Sequence, residues 1–296
     1  GGAIVNNDSI YVGGSVLFQN NHTKTNGAGI CNKKDVDVDV VLFIKGQVRF
    51  EGNSAVEKGG AIFVKNGKMT VDSDGSVVFE NNKSKLGTVF TGTEADVLIQ
   101  GKTEFHNNIA ENGTSIYVNS GTVSVNGYTE IVGDTATQGA IIYNKSNLYF
   151  NTGLVTGNVC QNNTDSIING IISANGSNTY LRGGRIFNNK FDMTSELNYD
   201  PYTAVLTSKN AKLSLGDSIS IDTVRLYLKE GYSQKINILS DLSAATASNP
   251  IVLVVDSLDK KVLSAEDGTF VTANYMKFKP SSDTLTINNK GFVVRK

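Results

Sequence analysis

The chain has 296 residues, enough for about one to three domains, and its 27 basic and 28 acidic side chains give a formal net charge of -1. It has no basic tract and no apolar run near the roughly 18 residues of a spanning helix, so we expect no nucleic-acid partner and no membrane insertion. Abundant glycine (30) and asparagine (33) with only 3 prolines predict an all-β protein of short strands and many turns.

The first recurring element consists of two small residues followed by an apolar one, and it begins at Gly2-Ala3-Ile4. Successive copies are separated by 26, 32, 27, 27, 25 and 27 residues. Their apolar residues are Ile4, Ile30, Ile62, Val89, Ile116, Ile141 and Ile168. Such a constant spacing indicates an internal structural repeat.

Two further elements recur with the same spacing. The second is an apolar residue, two others and an asparagine or aspartate: Phe18 to Asn21, Phe50 to Asn53, Phe79 to Asn82, Phe105 to Asn108, Ile131 to Asp134, Val155 to Asn158 and Ile186 to Asn189. The third is a pair of alternating apolar residues before a turn, such as Met69 and Val71, Val97 and Ile99, Val123 and Val125, Leu148 and Phe150, and Leu213 and Leu215. Each period therefore contains three short strand signals.

This repeat predicts a right-handed, single-stranded parallel β-helix with three short strands per coil of about 26 residues. Each strand would lie roughly 4.8 Å from its equivalent in the next coil, so that equivalent side chains stack. Propeller blades need about 40 to 45 residues, and helical repeats would show a period of about 3.6. We expect Phe18, Phe50, Phe79 and Phe105 to stack inside the coils.

The asparagines of the second element are predicted to form a buried ladder at one corner, with a structural role rather than a ligand-binding one. Their amides can bond the neighbouring coil, and asparagine also tolerates a left-handed bend. The predicted ladder residues are Asn21, Asn53, Asn82, Asn108, Asn158 and Asn189.

The paired elements Gly-Gly-Ala-Ile and Phe-x-x-Asn resemble the repeats of chlamydial polymorphic outer membrane proteins, and are similar to those of large β-helix adhesins of gut bacteria. The resemblance covers roughly residues 1–216. It implies an extracellular or cell-surface location and a non-catalytic adhesin or stalk. The partner would be an unknown host or bacterial surface protein or glycan. Because Gly1 already belongs to a repeat, we expect this to be part of a longer chain.

The longest step between coils contains three aspartates that alternate with valines: Asp35, Asp37 and Asp39. Alternation places the three carboxylates on one face of a strand. They could hold Ca²⁺, which prefers several oxygen ligands. The other interpretation is a solvated surface patch whose charges discourage pairing between sheet edges.

The alternative function is a carbohydrate-active β-helix, either a polysaccharide lyase or glycoside hydrolase or a glycan-binding protein. Glu80, Glu104 and Glu130 recur at similar positions, but they do not form one ladder. His22 and His106 lie about three coils apart, too far to share a metal. We therefore predict no catalytic residue, no cofactor and no metal site, and we expect that the protein is not an enzyme.

After Gly216 the repeat degrades, although strand-like stretches persist to the end of the chain. A solenoid needs a cap because its last coil exposes unpaired edges. We predict β-helix repeats over residues 1–216, and degenerate coils with a C-terminal cap over residues 217–296. A small separate β domain is the alternative for the second segment.

Overall fold

The fold is a parallel β-solenoid of about nine turns in a computed structural model, which confirms the predicted class. The structure describes residues 1–33, 40–163, 170–193, 205–208, 210–226, 234–255, 258–266 and 268–296. No helix in these ranges is long and apolar enough to cross a membrane.

The strands are short, and they follow one another with tight turns between them. In the first coils they are β1 (Ile4–Asn6), β2 (Ser9–Gln19), β3 (His22–Thr23), β4 (Ile30–Lys33), β5 (Val40–Glu51), β6 (Ser54–Ala55), β7 (Ile62–Lys65), β8 (Gly67–Val71), β9 (Ser76–Glu80), β10 (Val89–Thr91), β11 (Asp96–Ile99), β12 (Lys102–His106) and β13 (Ile109–Ala110). The middle coils contain β14 (Ile116–Val118), β15 (Thr122–Val125), β16 (Thr129–Val132), β17 (Thr135–Ala136), β18 (Ile142–Asn144), β19 (Asn147–Phe150), β20 (Gly153–Thr156), β21 (Val159–Asn163), β22 (Ile172–Ala174), β23 (Asn178–Leu181), β24 (Arg185–Phe187) and β25 (Lys190–Met193). The last part contains β26 (Val205–Thr207), β27 (Lys212–Leu215), β28 (Ser220–Ile221), β29 (Thr223–Arg225), β30 (Ile236–Ile238), β31 (Ile251–Val254), β32 (Leu263–Ser264), the helix α1 (Gly268–Asn274), a 3₁₀ turn (Tyr275–Lys277), β33 (Phe278–Pro280), β34 (Leu285–Ile287) and β35 (Val293–Arg295).

Parallel sheets run along the solenoid, with one strand from each coil in each row. The first sheet has the order β1-β4-β7-β10-β14-β18-β22-β26-β29-β31-β33. The second sheet has two rows, which the long strand β5 joins: β5-β8-β11-β15-β19-β23-β27-β30-β32 and β5-β9-β12-β16-β20-β24-β28. The other long strand, β2, pairs with β5 along its whole length. Short strands after the ladder corner form the further pairings β3-β6 and β13-β17-β21-β25. These short strands are an addition to the three that the sequence predicts.

The apolar residues of the second element stack in register, as predicted. Each pairs with its equivalent one coil away, in the order Phe18, Phe50, Phe79, Phe105, Ile131, Val155, Ile186 and Ile221. Successive phenylalanine ring centroids lie 4.7, 5.2 and 4.7 Å apart, with nearly parallel planes. Because these side chains are buried, they form a continuous column within the core, one residue from each coil.

Two copies of the first element lie elsewhere than the spacing predicts. Ile116 pairs with Ile142 rather than with Ile141, and Ile142 pairs with Ile172. A shift of one residue normally reverses the faces of a strand, but here Ile141 and Ile142 are both buried because Ile141 fills the corner before the strand. The predicted equivalent Ile168 lies outside the described residues.

Beyond residue 216 the strands pair with those of the preceding coils. Leu213 and Leu215 of β27 lie beside Ile236 and Ile238 of β30, and β29, β31 and β33 extend the first sheet. The chain ends in α1, the 3₁₀ turn and the antiparallel pair β34-β35. The division into repeats and a cap at residue 216 stays a prediction.

Candidate functional site

The corner after each second element holds a ladder of hydrogen-bonded side chains. The Oδ1 atom of Asn53 accepts bonds from the backbone N–H and the Nδ2 of Asn21, at 3.0 and 2.9 Å. The Nδ2 of Asn53 donates to the carbonyl of Phe18 at 2.8 Å and to Oδ1 of Asn82 at 3.0 Å. The same two-way bonding recurs at Asn82, Asn108 and Asn158. At Asn189, the last predicted position, Oδ1 accepts from Asn158, and Nδ2 donates to the carbonyls of Val155 and Phe187. The amides of Asn53, Asn82, Asn108 and Asn158 thus each tie three successive coils together.

The left-handed bend at this corner lies one residue earlier than we expected. The residue before each ladder position has a positive φ, between 53° and 73°: Asn20, Gly52, Asn81, Asn107, Gly133, Gly157 and Asn188. The expectation that the ladder asparagines themselves adopt this conformation is therefore wrong. The preceding residue makes the turn, which leaves the ladder side chain free to point at the next coil. The signal was present in the sequence, since only asparagine or glycine occurs there.

Asp134 occupies the ladder position between Asn108 and Asn158, and the predicted ladder omitted it. Its Oδ1 accepts from the backbone N–H and the Nδ2 of Asn108, at 2.7 and 3.0 Å, and its own N–H donates to Oδ1 of Asn158. Where an asparagine would carry its Nδ2, the second oxygen of Asp134 accepts a bond from the hydroxyl of Ser115 at 2.7 Å. An ionised Asp134 therefore has no side-chain hydrogen to donate to Asn158.

Burial controls the ionisation of this carboxyl group. Asp134 is fully buried, and the loss of solvation raises its pKa from 3.8 to about 7, against the opposing effect of the bonds from Ser115 and Asn108. Above that pH the ladder contains a negative charge for which the described hydrogen bonds provide only neutral donors. Asp134 is thus the weakest position of an otherwise neutral ladder.

Replacing Asn108 by leucine should destabilise the protein by roughly 1 to 3 kcal/mol, because the change removes the hydrogen bonds of its amide to buried groups on both neighbouring coils. Those groups are the backbone N–H of Asn82, the carbonyl of Phe79 and Oδ1 of Asp134, which keeps only the bond from the backbone N–H of residue 108. Urea unfolding followed by circular dichroism measures the loss. Asn119→Leu, at an exposed position, is the matched control and should change the stability little. An equal effect of the two substitutions would contradict a structural role for the ladder.

The aspartate patch Asp35, Asp37 and Asp39 lies outside the described residues. Its two interpretations, calcium binding and a solvated surface, therefore stay predictions. In the part of the chain that the structure does describe, no group of three or more His, Cys, Asp and Glu side chains is arranged to hold a metal ion.

The recurring glutamates lie on the outer face of the second sheet. Glu104 pairs in register with Glu130, whereas Glu80 pairs with His106. Glu104 also forms an ion pair with Lys102, whose side chain is largely exposed. Exposed ion pairs of this kind contribute little to stability, and these side chains form a charged row on the surface.

Outward-facing aromatic side chains also stack from coil to coil, and the sequence analysis did not identify these stacks. On the first sheet the rings stack at 5.5, 5.1 and 5.0 Å in the order Phe63, Phe90, Tyr117 and Tyr143. On the second sheet Tyr149 and Tyr180 stack at 4.6 Å with an interplanar angle of 1°. The first row is largely buried, but the tyrosine pair is half-exposed and can contact a ligand. Each tyrosine lies between two inward-facing residues of a third element, which was the available signal.

Residues 15–33 and 47–65 each match the Chlamydia polymorphic membrane protein repeat. No curated protein and no solved structure is significantly similar to the chain. The two matched segments run from the second element of one coil to the first element of the next, so the family repeat corresponds to the corner that carries the ladder. The repeat is that of a family of surface-exposed, adhesin-like proteins, which is not known as enzymatic.

Proposed function

We propose that this β-solenoid with polymorphic membrane protein repeats is a non-catalytic attachment segment, an adhesin or stalk, of a bacterial protein that is secreted or displayed at the cell surface. The observation that carries the proposal is the occurrence of two such repeats within a regular parallel solenoid. The partner would be a protein or glycan on a host cell or a neighbouring bacterium.

The architecture suits a rigid spacer with a binding face. The first sheet has eleven described strands, which at roughly 4.8 Å per strand give a rod about 50 Å long. Its interior is filled by the protein's own side chains, and the amide ladder ties each coil to its neighbours. Outward-facing side chains repeat at fixed spacing along the rod, so the outer faces are the surfaces available to a partner.

An adherence assay tests this function. Beads coated with the folded chain should bind to epithelial monolayers or to bacterial cells several times better than beads coated with albumin. Beads coated with the heat-unfolded chain should adhere no better than beads coated with albumin, because the binding face depends on stacked coils. Adherence no better than albumin on both cell types would contradict the proposal.

The proposal that the protein is not catalytic is tested by a separate measurement. Incubation of the chain with a panel of polysaccharides should release no reducing ends above the level of buffer alone. Turnover of any of them would favour the alternative, a carbohydrate-active β-helix.

A further inference from the structure

The stacked tyrosines of the second sheet leave two ring faces uncovered. Tyr149 and Tyr180 pair in register, and the next positions along the row are Ser124 on one side and Ser214 on the other. The row advances by roughly 4.8 Å per coil, so a serine leaves empty the space that another ring would fill. The far face of Tyr180 therefore borders a slot about as thick as one sugar or aromatic ring.

That slot opens into a groove of about 450 Å³. Ser214 and Gln234 line the groove and are only 5% and 8% exposed, and their side chains offer it a hydroxyl and an amide. Asn237, which follows Ser214 along the row, adds a second amide to the lining of the groove. These groups point to a ligand with several hydroxyl groups.

The wall of the groove carries a net positive charge from two exposed lysines. The register of Leu213 with Ile236 places Lys212 beside Lys235 on consecutive coils, and both line the groove. Neither lysine forms an ion pair with any described residue, and like charges that lie directly opposite each other on neighbouring strands destabilise a sheet. Glu266 is the only acidic residue among the lining side chains. An anionic group bound between the two lysines would relieve their repulsion.

We propose that this groove binds an acidic saccharide, whose pyranose ring stacks on the free face of Tyr180 and whose carboxylate lies between Lys212 and Lys235. A pyranose ring has a face of C–H groups, which suits the negative face of an aromatic ring. Its edge carries hydroxyls, which Ser214 and Gln234 can bond. The inference rests on the proposed attachment function and names the class of ligand that would mediate it.

Calorimetric titration of the whole chain with two acidic saccharides, trigalacturonate and 3′-sialyllactose, tests the proposal. The neutral counterpart of trigalacturonate is its methyl ester, and that of 3′-sialyllactose is lactose. At least one acidic saccharide should bind about tenfold more tightly than its counterpart, which corresponds to roughly one charge-assisted contact. Tyr180→Ala should weaken that binding about tenfold. Tyr128→Ala, at an exposed tyrosine outside the groove, should leave it unchanged. The double substitution Lys212→Gln with Lys235→Gln should abolish the preference for the acidic form, and melting curves verify that each variant folds.

Absence of binding for both acidic saccharides at millimolar concentration would overturn the proposal, as would equal binding of the neutral counterparts or an unchanged affinity of Tyr180→Ala. The bead assay separates this failure from a failure of the attachment function. If coated beads adhere but neither acidic saccharide binds, the groove proposal fails and the attachment function stands. If the beads do not adhere either, both fail.

Discussion

Replacing Asp134 by asparagine should stabilise the protein at pH 8, by up to roughly 4 kcal/mol, because the change removes a buried charge from the ladder. The folded pKa of Asp134 is raised by burial from 3.8 to about 7, so ionisation is harder in the folded chain than in the unfolded one. The native protein therefore loses stability as the pH rises from about 4 to 7, and the full loss is present above 7. An asparagine would also donate to Oδ1 of Asn158, as its equivalents do elsewhere in the ladder.

Urea unfolding of both proteins between pH 4 and pH 8 measures this effect. The free energy of unfolding of the Asp134→Asn variant should exceed that of the native protein by an amount that grows with pH across this window. The difference should be smallest at pH 4, where the carboxyl group of Asp134 is protonated in the folded chain. The exposed Asp96→Asn is the control, and it should show no such trend. A difference that does not vary with pH would show that Asp134 is not titrating inside the ladder.

Replacing Phe79 by alanine should cost roughly 3 to 5 kcal/mol, because it opens a cavity in the middle of the aromatic column. The Phe79 ring is fully buried between those of Phe50 and Phe105, at 5.2 and 4.7 Å. The neighbouring rings cannot close the gap, because hydrogen bonds on both sides fix the spacing of the coils. The stacking contacts on both faces are lost as well.

The matched control is Phe43→Ala. Phe43 also stacks on a neighbouring ring, that of Tyr11 at 5.5 Å, but it faces outward and is half-exposed. Its loss should cost about 1 kcal/mol or less, since little buried volume disappears. Chemical unfolding of the two variants under the same conditions compares the costs. A Phe79 variant as stable as the Phe43 variant would mean that the column is not the core.

The fold was predictable because a solenoid repeats its side chains in the sequence. The column from Phe18 to Ile186 was read from spacing alone, and the structure pairs each member with the expected neighbour. Prediction failed where the spacing was ambiguous. Ile141 and Ile142 are adjacent and equally apolar, and only the hydrogen-bond register decides which of them pairs with Ile116.

The features relevant to the candidate sites were harder to predict. Asp134 resembled a weak copy of an asparagine motif, and only its complete burial shows that its charge matters. Tyr149 and Tyr180 are 31 residues apart, so their contact depends on an exact register across the coils. The groove beside Tyr180 also uses Gln234 and Lys235, which lie in the segment where the repeat motifs have disappeared.

The most direct test of coil-on-coil stacking is a disulfide between equivalent positions of two coils. Asp96 and Thr122 pair in register on the outer surface, roughly 4.8 Å apart and within the about 7 Å that a disulfide allows. The variant Asp96→Cys with Thr122→Cys, in a background where the buried Cys31 and Cys160 are alanine, should form this bond on mild oxidation, as peptide mass spectrometry would show. The control Asp96→Cys with Asn126→Cys should not, because Asn126 bonds to Ile99 and lies roughly 10 Å or more from Asp96. Failure of the first pair to crosslink, or equal crosslinking of the control, would contradict the stacked-coil architecture on which the account depends.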